Sequence, residues 1–258
     1  LVQMSEWIPA YTTGTYPILG APGLPFLLPE LRDTAETAAA ADRAWASPAM
    51  KAQHGAIVAK QGGRTIGSYY YEPMNFYFAK PVRKIGDFSG RRVRVFSPEQ
   101  STLMRELGAT PVSMTSAEVY SSLQRGLIEG LITSSGGITG LKWHEQLKSV
   151  LTTNLMMVRT DMLVGESAIN ALSRDIRAVL EQEMGTAGRD LRRLITDSDQ
   201  RNHETMKKME FTFVSSQGEL YQQLRNLARE KVWAPWSRSV GPDCDKVLQD
   251  IFAAMAKK

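Results

Sequence analysis

The sequence predicts an α/β fold with a partly parallel sheet, and three patterns carry that expectation. Between Lys84 and Thr133 short β-branched strands alternate with short helices, an order that builds parallel strand pairs. From Ser173 to Lys208 the apolar residues Ile176, Val179, Leu180, Met184, Leu191, Leu194, Ile195 and Met206 follow the 3.6-residue period of one long helix. That helix is too long for one small lobe, so it is expected to bridge two. The segment from Tyr16 to Gly23 is rich in Pro and Gly and reads as turns.

Taken in order, Leu1 to Ser5 reads as a strand running into Glu6 and Trp7. Asp33 caps an alanine-rich helix from Ala35 to Trp45, and a second helix spans Pro48 to Gln61. Strands follow at Thr65–Tyr71 and Asn75–Phe78. Val93 to Val95 is a strand, Glu99 to Leu107 a helix ended by Gly108, and Thr110 to Ser113 a strand. Thr115 with Glu118 makes a capping box for the helix Ala117–Gln124. Gly130 to Thr133 is the next strand, and a Ser/Thr/Gly loop closes the series. A helix begins around Trp143 to Leu147, and Leu155 to Gly165 reads as one apolar strand region. Gly185 and Gly188 are expected to weaken or bend the long helix. A strand at Glu210–Val214 and helices at Glu219–Trp233 and Asp243–Met255 end the chain.

Composition excludes several classes. The 258 residues, 43% hydrophobic and 22% charged, suit a globular chain of one large domain or two lobes. The net charge of +4 is spread among interspersed acids and bases, with no basic stripe of the kind that binds nucleic acid. No segment reaches the ~20 apolar residues of a membrane span. The single cysteine, Cys244, rules out an internal disulfide and a CxxC metal or redox site. His54, His144 and His203 lack partner spacing, and there is no HExxH, GxSxG or phosphate loop. We therefore expect neither an enzyme nor a cofactor. The chain opens on Leu1-Val2-Gln3-Met4, already a strand pattern, so upstream residues are expected.

The residues that carry chemistry centre on Gly90-Arg91-Arg92-Val93-Arg94-Val95-Phe96. An arginine on a strand end suits a carboxylate, because its planar guanidinium donates two parallel hydrogen bonds to both oxygens. The alternation places Arg92 and Arg94 on the face of Phe96. The alternative for either residue is a structural ion pair on a solvated strand.

Several ordered motifs resemble the periplasmic solute-binding proteins of the TRAP transporter family, of the dicarboxylate-binding DctP type. Val82 to Val95 resembles that family's "Pro-Ile, loop, Asp-Leu-x-Gly-Leu-Lys-Ile-Arg-Val" pattern. Leu107 to Met114 is similar to its "Leu-Gly-Ala-x-Pro-Val-x-Met". Ser116 to Gly126 resembles its "Ser-Glu-Val-Tyr-x-Ala-Leu-Gln-x-Gly", and Ile128-Glu129-Gly130 stands where the family has Val-Asp-Gly. Leu24 to Leu27 and Trp143 to Lys148 fit as well.

The resemblance implies a two-lobe periplasmic-binding-protein-like fold with a ligand cleft and a long helix spanning both lobes. Lobe I is assigned to 1–73 and 160–205, and lobe II to 74–159 and 206–258. It also implies a βαβ unit ahead of Leu1 that the chain as given does not include, leaving lobe I incomplete. The implied function is an extracytoplasmic, periplasmic receptor that binds a small organic acid, closes around it by a hinge and passes it to integral membrane TRAP transporter subunits. No nucleic acid is involved, and a monomer is expected, with a dimer left open. The alternative is a ligand-sensing two-lobe domain of a regulator or receptor.

The resemblance places the carboxylate-gripping role on Arg94 and sets Arg92 at a solvent-facing end, where the family often has lysine. Thr133 departs from an asparagine that dicarboxylate and sialate binders often present, although the hydroxyls of Thr133, Ser134 and Ser135 can still hydrogen-bond a carboxylate. Met74 stands near a second arginine of sialate-type members and argues against that acidic sugar. Glu6 and Trp7 follow the first strand and are read either as cleft residues or as a cap and core pair. Tyr70, within Tyr69–Tyr71, is a candidate pocket residue, with burial in the core as the alternative. Trp143 is read as packing.

Overall fold

The computed structural model describes residues 3–30 and 33–256, so the expected strand start at Leu1 and Val2 lies outside the described residues. The chain runs β1 (Met4–Trp7), α1 (Thr34–Ala46), α2 (Pro48–Lys60), β2 (Gly63–Tyr70), β3 (Asn75–Phe78), β4 (Arg92–Val95), α3 (Pro98–Glu106), β5 (Thr110–Ser113), α4 (Ser116–Gln124) and β6 (Gly130–Thr133). It continues through α5 (Ser135–Gly140), β7 (Ser149–Thr152), β8 (Arg159–Gly165), α6 (Glu166–Asn170), α7 (Arg174–Lys208), β9 (Thr212–Ser215), α8 (Glu219–Ala228), α9 (Ala234–Val240) and α10 (Asp243–Met255).

Local chemistry explains most boundaries. The Asp33 carboxylate accepts from the Ala35 and Glu36 amides at 2.7 and 3.0 Å, satisfying donors that the first turn of α1 leaves free. Glu118 reaches back to the Thr115 amide at 2.9 Å, the expected box ahead of α4. The motif residue Asp87 accepts from the Arg83 and Lys84 amides and closes the turn before β4. Those backbone bonds hold its carboxyl below the ordinary carboxylate range.

Two sheets result. The smaller has the order β1-β8-β2, antiparallel throughout. The larger has the order β5-β4-β6-β3-β7-β9, in which β3 alone runs against its neighbours. Side chains of the larger sheet alternate between two buried layers, as strand periodicity requires. Phe76, Phe78, Val93, Val95, Ile132, Leu151 and Val214 face one layer. Tyr77, Leu131, Val150 and the half-buried Phe213 face the other, with Trp143, Leu147 and Met206 beneath them. Each fully buried aromatic contributes about 2 kcal/mol by removal from water.

The sheets are joined by two short crossing segments that bond to each other. Tyr71 N donates to Val158 O, Met74 N to Met156 O and Leu155 N to Met74 O. Asn75 Oδ1 accepts from the amides of Thr153 and Asn154 at 2.7 and 2.9 Å, locking the corner. The single strand expected over Leu155–Gly165 is therefore divided. Its apolar first half is buried as a crossing segment, and only Arg159–Gly165 pairs as β8, while Ser149–Thr152 forms the additional strand β7.

Two further expectations are corrected. The Ser/Thr/Gly loop after β6 is the short helix α5. Gly185 and Gly188 lie within α7, which runs 35 residues, on the order of 50 Å. Gly188 lets α7 press onto β2, because a Cβ there would lie 3.0 Å from the Ser68 carbonyl oxygen. The helix from Glu219 continues beyond Trp233 to Val240, through a π turn at Arg229–Trp233. That wider turn takes Pro235 at the start of α9 without losing an α-helical bond. Trp233 Nε1 and Trp236 Nε1 then donate to the carbonyls of Pro25 and Pro17, tying this helix to the turn-rich segment.

Gly130 opens β6 against Phe78, whose Cδ1 would lie 2.2 Å from an added Cβ, with the Tyr77 carbonyl oxygen at 2.7 Å. Gly130→Ala is expected to destabilise the protein by about 3 kcal/mol. Urea unfolding should show this as a lower midpoint at unchanged slope.

Candidate functional site

Strand β4 places Arg94 on the sheet face that Leu131, its registered neighbour on β6, fills with an apolar side chain. Arg94 is only 3% exposed. Its Nε donates to the Met114 carbonyl at 3.2 Å and its Nη2 to Ser116 Oγ at 3.4 Å, and the guanidinium lies 5.2 Å from the centre of the Phe96 ring. Among the described residues no carboxylate lies within ion-pair distance of it. Burial lowers its pKa from the ordinary value, with the Tyr11 phenol partly opposing that shift. The result is a desolvated cation, held in place by neutral acceptors.

Arg94 opens into a cavity of about 540 Å³, within the range of small-molecule sites. Tyr11 comes from the segment after β1 and packs edge-on against Phe96 at 5.7 Å. Thr133 and Ser134, from the end of β6, line the wall beside Gly136, Gly137 and Trp143. The hydroxyls of Thr133 and Ser134 make no hydrogen bond within the described residues, so they are available to an occupant. Tyr71, Glu72, Met74 and Val158 of the crossing segments complete the wall, so the cavity sits where the two sheets meet.

Two other cavities differ in charge. One of about 540 Å³ beside α2 contains Arg64, paired with Glu166 at 2.8 Å, and the cluster in which Asp161 receives Arg159 at 2.6 Å and His54 at 2.8 Å. Its buried charges already satisfy each other. Another, of about 330 Å³ at α7 and β9, is lined by the acids Glu30, Asp33 and Asp199 together with His203. Of these three cavities, that of Arg94 presents a buried guanidinium with no carboxylate within ion-pair distance among the described residues.

The candidates thus separate. Arg94, Thr133 and Ser134 are brought together around one space. Glu6, Trp7 and Tyr70 do not line it. Glu6 lies on exposed β1 and accepts from the Tyr69 hydroxyl at 2.8 Å, while Trp7 stacks on His54 at 5.8 Å. Tyr70 is 1% exposed, and burial, then the Asp42 carboxylate, raise its pKa well above the ordinary value. Strand alternation sends Tyr70 into the core and Tyr71, 37% exposed, to the cavity. Arg92 donates to the Leu127 and Gly126 carbonyls and pairs with Glu129 at the exposed strand start, apart from the cavity.

Among the polar side chains of the wall, Tyr11, Glu72 and Ser116 were not anticipated. Glu72 had a legible signal, as the single charge in the run Tyr69–Phe78. Tyr11 and Ser116 had none, because each reaches the cavity through tertiary placement.

Comparison with known proteins places this geometry. The profile of DctP, the bacterial extracellular solute-binding protein family 7, matches residues 2–238. Relatives include the uncharacterized protein YiiZ of Salmonella typhimurium, 37% identical over 83 residues, which are 31% of this chain and 25% of that protein. A solute-binding protein of Roseobacter denitrificans is 26% identical over 198 residues, 76% of this chain and 59% of that one. The chain thus spans between a quarter and three fifths of the length of these two relatives.

Among solved structures, the Bordetella pertussis extracytoplasmic solute receptor DctP6, which binds pyroglutamic acid, superposes with a TM-score of 0.87 at 20% identity. That match covers 97% of this chain and 80% of that one. A TRAP periplasmic solute-binding protein of Shewanella oneidensis with bound succinate gives 0.85 at 19% identity, covering 98% and 80%. These likenesses establish the two-lobe α/β fold. With the family pattern running through nearly all of its length, the chain belongs to the DctP family of bacterial extracellular solute-binding proteins.

Proposed function

We propose that the protein is the extracytoplasmic receptor of a TRAP-type secondary transporter, and that it captures a small organic acid on Arg94 and closes its lobes around it. The observation that carries this reading is the buried guanidinium without a carboxylate partner, open to a cavity between the sheets. Keeping a cation out of water is costly unless something pairs with it. A ligand carboxylate at 4 Å supplies about 4 kcal/mol at an effective dielectric of about 20. Thr133 and Ser134 are positioned to donate to it, and Tyr11 and Phe96 to cover it.

In this reading lobe I is 1–73 with 160–205, and lobe II is 74–159 with 206–258. The paired crossing segments serve as hinge strands, and α7 as the element shared by both lobes. Asp199 of α7 supports that role, since it accepts from Thr34 of α1 and from Ser135 of α5, both at 2.6 Å. Partners are the integral membrane subunits to which the closed receptor delivers its ligand. Among the described residues no helix is long and apolar enough to cross a membrane. The ligands of relatives, pyroglutamic acid and succinate, define the first probes.

A thermal-shift screen of small organic acids should find a stabiliser. Binding with Kd of about 1 μM, tested at ~1,000 times that concentration, adds about 4 kcal/mol and raises Tm on the order of 10 °C. Arg94→Ala should remove this shift, and an Arg94→Ala protein that binds at wild-type strength would falsify the role. Arg94→Met should separate binding from folding. It removes a desolvated charge while keeping a long side chain, so the ligand-free protein should be unchanged or up to about 2 kcal/mol more stable in urea unfolding, with ligand response lost.

A further inference from the structure

The cavity holds a second buried charge that a plain carboxylate does not need. Glu72, in the crossing segment after β2, is 7% exposed and lines the same space as Arg94. Its Oε1 accepts from Ser198 Oγ at 2.9 Å and from Asn202 Nδ2 at 3.3 Å, both on α7. Those donors are neutral and converge on one oxygen. Oε2 receives no hydrogen bond from the described residues, and among them no lysine, arginine or histidine lies within ion-pair distance of either oxygen. Arg94 and Glu72 also do not pair with each other, although they share one cavity.

A purely structural tie between the crossing segment and α7 would be served by a neutral amide accepting the same two bonds. An uncompensated buried carboxylate is retained at a cost. A site that keeps a buried cation and a buried anion apart, each facing the same space, is complementary to a molecule with the opposite arrangement. Its carboxylate meets Arg94 and its hydrogen-bond donor meets Glu72.

We propose that Glu72 is a specificity-determining residue that selects organic acids bearing an N–H donor, and rejects acids of the same shape that lack one. The proposal rests on the receptor reading above and narrows its substrate class. The discrimination is expected to be large, because an acid without a donor leaves the Glu72 oxygen desolvated and unpaired. Two sources supply the donor chemistry, an ammonium group and a lactam N–H.

Matched acids test it by calorimetry on the full chain. Proline against cyclopentanecarboxylate, and 4-aminobutyrate against valerate, exchange an ammonium for a carbon at nearly constant shape. Pyroglutamate against N-methylpyroglutamate removes a lactam N–H. Wild type should bind the donor-bearing member of at least one pair 10-fold or more tightly than its partner. Glu72→Leu should reduce that preference to less than about 3-fold. Glu72→Gln, which keeps the neutral acceptor and the contacts to α7, should lose an ammonium preference and retain part of a lactam preference. It also reports if the leucine variant does not fold.

Equal binding within every pair, or a preference that survives in Glu72→Leu, overturns the assignment while leaving the carboxylate receptor intact. Wild-type protein that binds no organic acid overturns the receptor reading, and this inference with it.

Discussion

A buried guanidinium on a sheet face is the constraint around which the rest of this molecule is arranged. Arg94 occupies a register position that its neighbour fills with Leu131, in a layer otherwise made of Tyr77, Val150 and other apolar side chains. It is almost wholly buried, and no carboxylate among the described residues pairs with it. The surrounding structure holds the side chain extended through Met114 O, Ser116 Oγ and the Phe96 face. The neutral acceptors orient the charge without cancelling it. Pre-orientation of this kind lowers the entropy a ligand must overcome, since the long arginine is already fixed. The same geometry explains why the cavity beside α2, though of similar volume, lacks this property, since its arginines are spent on Glu166 and Asp161.

The junction that holds this site is built from two short segments paired with each other. The crossing segments Tyr71–Met74 and Leu155–Val158 pair with one another, and Asn75 pins their end. Their apolar side chains are buried, yet they belong to neither sheet's ladder. Around this junction α7 makes the other link. Near its middle it lies close on β2 through Gly188, and further along Asp199, Ser198 and Asn202 hydrogen-bond to α1, to α5 and to Glu72. One face of α7 thus reaches both the cavity wall and the helix that follows the Thr133–Ser134 turn. A set of polar contacts along α7 links the cavity wall at Glu72 to α1 and α5.

Legibility differed by the range of the interactions involved. The parallel β4–β5 pairing and the helices between Arg92 and Thr133 were readable, because capping by Glu118 and strand alternation act within a few residues. The long helix α7 was readable from period alone. Its glycines were not, since Gly188 answers to a β2 backbone more than a hundred residues away. Leu155–Val158 looked like a strand because burial on all sides and strand pairing leave the same apolar composition. The split at Arg159 depends on which sheet each half meets. The helix expected to end at Trp233 runs on to Val240, with a π turn at Arg229–Trp233 and Pro235 in the first turn of α9.

At the site, local sequence determined that an arginine would stand on β4 with the opposite parity to Val93 and Val95, and that hydroxyls would follow β6. Those statements need only the period of a strand and the order of the chain. The tertiary structure alone decided that Arg94 is buried with no ion-pair partner among the described residues, that Tyr71 replaces Tyr70 at the wall, and that Glu6 and Trp7 turn to Tyr69 and His54. It alone brought Tyr11, Ser116 and Glu72 to the same space. Whether a charge is buried, and which partner it meets, depends on segments distant in the chain that pack to exclude water. No local periodicity encodes that packing.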